Sequence, residues 1–157
     1  TRYEEAINAV RNLVMETPDQ SYPTLVQFIT DGEPTSIEKA EKAIRVASKA
    51  GVFFQFVGVG SGDYDPRVGM PAAQQKTGFL SSLFGGGGQG AGRIDGACQF
   101  EFLRKLDDLP GRHTDNAGFF AVKDPKNISD EAYYDLLLSE YPNWVSGEFP
   151  KTNLREW

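Results

Sequence analysis

Thr24-Leu25-Val26-Gln27-Phe28-Ile29-Thr30-Asp31-Gly32-Glu33-Pro34 is the stretch from which the rest of the chain is read. An apolar β-type run ends in Thr-Asp-Gly, and a helical pattern begins at once. In an open α/β sheet the ligand crevice lies beyond the carboxyl ends of the strands, so Asp31 is delivered to where such folds do their chemistry. The same Asp-Gly pair also suits a plain β-to-α turn.

Working outward, Thr35 and Glu38 have the spacing of a capping box and predict a helix to about Ala50, with Gly51 just past its end. Val52 to Val59 is apolar apart from Gln55 and predicts a second strand, buried on both faces. Strand, helix, strand at this spacing implies a right-handed crossover and a parallel sheet. Upstream, Ala6, Ile7, Val10 and Val14 recur at helical spacing, with Thr1 and Glu4 as a capping box and Thr17-Pro18-Asp19 as the stop. Downstream, Phe100 to Leu109 predicts a helix stopped by Pro110-Gly111, and residues 118–122 predict a third strand. Ser129 and Glu131 open a last helix carrying Tyr133, Leu136, Leu137 and Tyr141, which Pro142-Asn143-Trp144 ends. Three strands are few for a sheet that must bury both faces. The expectation is an α/β domain, helices on both faces, incomplete on its N-terminal side and completed by further strands or by another chain. Starting at Thr1 rather than Met, the chain reads as part of something longer.

Composition narrows the function classes. The 157 residues fit one domain, and no apolar run reaches the roughly 18 residues that would span a membrane. A formal charge of −6 with dispersed Lys and Arg disfavours nucleic acid and anionic membrane as partners. Cys98 is the single cysteine, so it forms no internal disulfide, and with His113 alone it cannot build a structural zinc site. The expected compartment is the cytosol.

Residues 60–97 interrupt the pattern with the tract Gly85-Gly86-Gly87-Gly88-Gln89-Gly90-Ala91-Gly92. No Lys-Ser or Lys-Thr follows it and no strand precedes it, so it reads as a linker rather than a phosphate-binding loop. Phe79, Leu80, Leu83 and Phe84 form a small apolar cluster before it, a candidate partner-binding segment or a short helix docking on its own domain. His113 reads as an exposed loop residue, and Asp107, Asp108, Asp115 and Asn116 as helix-capping and surface groups.

Phe28-Ile29-Thr30-Asp31-Gly32-Glu33 followed by Phe53-Phe54-Gln55-Phe56-Val57-Gly58-Val59-Gly60 resembles the Rossmann-like von Willebrand factor A-type fold. The segments Phe100 to Leu109, Asp115 to Val122, Ile128-Ser129-Asp130-Glu131 and Tyr141-Pro142-Asn143-Trp144-Val145 are similar to the A-like domain of the tellurium-resistance (TerF-type) family. The resemblance implies the C-terminal part of such a domain over residues 1–145, with residues 60–97 as an insert and 146–157 as a tail. It also implies a metal-ion-dependent adhesion site built by three loops at the strands' carboxyl ends. Thr1 matches the threonine of the second loop and Asp31 the aspartate of the third, while the Asp-x-Ser-x-Ser first loop has no counterpart in this sequence. Magnesium or calcium suits such oxygen ligands, held weakly or not at all without that first loop.

The expectation is therefore a non-catalytic interaction module, related to tellurium resistance and stress response, whose cation accepts a protein partner's carboxylate. The alternatives are a metal-dependent phosphoryl-transfer or hydrolase domain using Asp31, and a scaffold that has lost its metal.

Overall fold

The computed structural model describes residues 1–19, 21–60, 62–67 and 100–152. Along the chain run α1 (Tyr3–Glu16), β1 (Thr24–Thr30), α2 (Ile37–Ala47), β2 (Val52–Val59), α3 (Glu101–Asp107), β3 (Ala117–Val122), α4 (Asp130–Leu137) and α5 (Tyr141–Gly147). Short 3-10 turns occupy Pro125–Asn127 and Phe149–Lys151. The three strands form one sheet in the order β1-β2-β3, both pairs parallel, with Thr24 opposite Val52 and Phe54 opposite Ala117.

β2 is central because its side chains have no polar face to offer. Phe54 and Phe56 join Ala117, Phe119, Tyr3, Ile7, Ile44 and Leu103 in a core under α1, α2 and α3. Phe53 points the other way, its ring 5.5 Å from that of Trp144 on α5. Val57 meets Phe120, Ala132 and Leu136 on that same side. Helices thus cover both faces, as the apolar runs require. Close approach needs glycine at two places: a Cβ on Gly58 would stand 2.8 Å from the Phe100 ring, and one on Gly118 would stand 2.8 Å from Glu140 Oε1.

The two edges differ. β1 has no partner beyond it among the described residues, and Ile29 on this strand is 60% exposed. β3 is covered, because Tyr64 exchanges two 3.0 Å backbone hydrogen bonds with Ala121. The Lys123 amide donates to Asp63 at 2.9 Å, and Arg67 grips Asp65 with two nitrogens, so the turn after β2 folds over that edge.

Several local expectations are corrected. Thr1 does not cap α1; Arg2 occupies the cap with no side-chain hydrogen bond. Ala6 is exposed, and Tyr3 replaces it on the buried stripe with Ile7. Ser36, not Thr35, caps α2 by accepting from the Lys39 amide at 3.4 Å. The helix ends at Ala47, and Gly51 has no left-handed backbone. Pro142 does not stop a helix but sits in the first turn of α5, where its missing N–H costs nothing. That helix runs on through Ser146 and Gly147.

The acidic stretch before β3 is not simply surface. Asn116 is fully buried and Asp107 half-buried. Burial, reinforced by neighbouring carboxylates, pushes Asp107 up to about 8 and Glu140 up to about 7, with Arg112 pulling both back. Gln55 lies beside Glu140 over Gly118, and both ends of its amide are buried without a hydrogen-bond partner among the described residues. His113 is exposed as expected, its Nε2 2.8 Å from the Lys151 carbonyl.

Candidate functional site

The site is built where β1 runs out. Thr30 is buried, and its hydroxyl folds back on the turn, 3.0 Å from the Gly32 carbonyl oxygen. The Tyr3 hydroxyl, from the first turn of α1, reaches the same place, 2.9 Å from Thr30 Oγ1 and 2.5 Å from that carbonyl. Burial raises the Tyr3 phenol above its ordinary value despite the Thr30 bond, and the charges of Asp31 and Glu33 add to the rise. The phenol therefore stays protonated and keeps its donor at any physiological pH.

Thr1 is tied to the same loop from the other side. Its carbonyl accepts from the Thr35 amide at 2.7 Å and the Thr35 hydroxyl at 3.1 Å, and its backbone nitrogen donates to the Glu33 carbonyl at 3.2 Å. The segment before α1 and the loop after β1 are thus fastened together at the carboxyl end of the sheet. Asp31 stands on this platform with its side chain exposed and no hydrogen bond or ion pair among the described residues.

The structure thus brings the loops of Thr1 and Asp31 together. Their oxygens are of the hard type that magnesium and calcium prefer, but two side chains fall well short of the six or more oxygens these ions take. Among the described residues no group of three or more His, Cys, Asp or Glu is arranged to hold a metal. Phe79, Leu80, Leu83, Phe84 and the glycine tract lie outside the described residues. Tyr3 was missed by sequence reasoning as the residue that pins this loop. Its signal was its place one turn before Ile7 on the apolar stripe of α1, combined with a polar tip that must find a partner when buried.

A family model described as "vWA found in TerF C terminus" matches residues 1–67 and 91–152. The chain belongs to the vWA-TerF-like family. Residues 68–90, most of the glycine-rich insert, fall outside the match. A relative from Bacillus subtilis (strain 168), described as uncharacterized protein YcbR, is 32% identical over 150 residues. The alignment covers 95% of this chain and 45% of that protein, so the vWA-TerF-like chain spans less than half the length of its relative. No helix among the described residues is long and apolar enough to cross a membrane.

Proposed function

We propose that this vWA-like domain is a non-catalytic protein-interaction module whose divalent cation, magnesium or calcium, sits over the loops of Thr1 and Asp31. The observation that carries the reading is the platform itself: two loops fastened at the carboxyl end of a parallel sheet, presenting an exposed carboxylate at Asp31 that has no partner among the described residues. Thr1 and Asp31 supply the protein oxygens available here, and residues elsewhere in the protein or in a companion chain supply the rest. A partner's carboxylate then completes the shell. Family membership is the support for a role in tellurium resistance or stress response.

Calorimetric titration of the intact protein with magnesium and with calcium is the test. Asp31→Ala should weaken the binding by about tenfold or more, since a ligand or the anchor of a bound water is lost. An unchanged affinity would leave Asp31 a turn residue and remove the basis for the reading. Retained cation binding with turnover of a phosphate ester that Asp31→Ala abolishes would favour the hydrolase alternative instead.

A further inference from the structure

At the opposite end of the domain, a cavity of about 520 Å³ opens between the carboxyl-terminal halves of α1 and α2, with Gly111 at its edge. Arg11, Lys42, Arg45 and Lys49 line it together with Met15 and Val46, and among the described residues no carboxylate lines it. Four of the chain's 16 Lys and Arg residues therefore converge on one concavity in a protein of formal charge −6. Balancing helix dipoles explains only Arg45, the one cation of the four in the last turn of its helix.

The cations are not equally committed. Arg45 is held in place, its Nε donating to the Pro110 carbonyl at 3.0 Å and its Nη2 paired with Glu41 at 3.3 Å. Arg11 donates through Nη2 to Asn12 at 2.7 Å, but its Nε is buried with no acceptor among the described residues. Lys42 is exposed and makes no ion pair among them. The planar guanidinium fork fits a phosphate or a carboxylate, while the Met15 and Val46 side chains offer contact only to apolar atoms. The volume is that of a small-molecule site rather than of a flat docking face.

We propose that this cavity binds a small amphiphilic anion, an apolar body of about aromatic-ring size carrying a phosphate or carboxylate head. The head sits against Arg11 and Lys42, and the body lies over Met15 and Val46. This site is separate from the Asp31 loop and does not depend on a metal there.

The test is calorimetric titration of the intact protein at low ionic strength with phenyl phosphate, benzoate, inorganic phosphate and benzyl alcohol. Phenyl phosphate or benzoate should bind one site at least about tenfold more tightly than inorganic phosphate or benzyl alcohol, and the better of the two identifies the head group. Lys42→Glu and Arg11→Gln should each weaken that binding by about tenfold or more, whereas Lys39→Glu, on α2 but outside the cavity, should not. Lys42 is exposed, so its variant should keep the parent melting temperature and report on binding alone. Equal binding of inorganic phosphate, tighter binding of hexaglutamate than of phenyl phosphate, or no saturable binding of either aromatic anion to about 10 mM would each overturn the proposal. So would full retention of affinity in Lys42→Glu.

Discussion

Glu140→Gln should stabilise the protein above neutral pH and leave it nearly unchanged at pH 4. Glu140 stands at the start of α5, its Oε1 2.8 Å from where a Cβ on Gly118 would lie, with Gln55 Oε1 2.9 Å from the same point. Burial, with Asp115 and Asp108 adding their charges, lifts its carboxyl from 4.5 to about 7. At 1.36 kcal/mol per unit, a rise of that size makes ionising Glu140 in the fold cost about 3 kcal/mol at most, and partial solvation reduces this to about 1–3 kcal/mol. The sign follows from proton counts. Below the ordinary glutamate range both folded and unfolded chains hold the proton. Between that range and about 7 only the folded chain holds it, so stability falls as pH rises, and above about 7 the loss is complete. Glutamine has the same shape, cannot ionise, and adds a donor toward Gln55. Urea unfolding followed by tryptophan fluorescence at several pH values between 4 and 8.5 should give two curves that coincide at the acid end. They should separate by about 1–3 kcal/mol in favour of the variant at the alkaline end. Asp107 feels the Glu140 charge and does not cancel: losing that charge eases ionisation of Asp107 in the fold and adds to the separation at the alkaline end. A constant offset across the range, or a variant less stable at pH 8.5, would refute the idea that the fold holds Glu140 protonated.

Gly58→Ala should destabilise the domain by about 1–3 kcal/mol in chemical denaturation, because its Cβ would drive into the Phe100 ring under α3. Tyr3→Phe should cost about 1 kcal/mol, the hydroxyl's bonds to Thr30 and Gly32 being lost while the ring stays packed, and this too is read from denaturation. Asp31→Ala should change stability by less than about 0.5 kcal/mol, since this exposed carboxylate has no partner among the described residues to hold, so any loss of cation binding in that variant is a ligand effect. Joining residue 67 to residue 91 should leave the melting temperature within a few degrees of the parent, because the family match omits the segment between them and loop-closure entropy varies slowly with length.

β2 and β3 were legible because each is a dense apolar run whose burial on both faces leaves no alternation to misread, and β1 because its apolar run stands between Pro23 and Asp31, although Gln27 and Ile29 are exposed. Boundaries were less so. Thr35 and Ser36 are both competent caps, and only the path of the chain toward Thr1 decides that Thr35 serves as donor and Ser36 as cap. Pro142 carries opposite meanings at the start and in the middle of a helix, and the local sequence does not say which position it holds. Asp107, Asn116 and Gln55 show a deeper limit, since their burial comes from α3, α5 and β3 closing over one seam, a tertiary fact invisible in neighbouring residues. The approach of Thr1 to the Asp31 loop was available only through family resemblance. Nothing in the composition near Thr1 announces a partner more than thirty residues away.

The unequal edges give the sheet a direction of growth. Tyr64 and the 62–67 turn seal the β3 side, so any strand that joins must arrive alongside β1. A segment of the same protein arriving there would consume the only exposed ladder among the described strands. Two copies meeting β1 to β1 across a two-fold axis would do the same, leaving sealed margins outward on both sides. A strand added beside β1 brings an outer ladder of its own, so of the two only the pairing of two copies β1 to β1 leaves no free ladder on that side of the sheet.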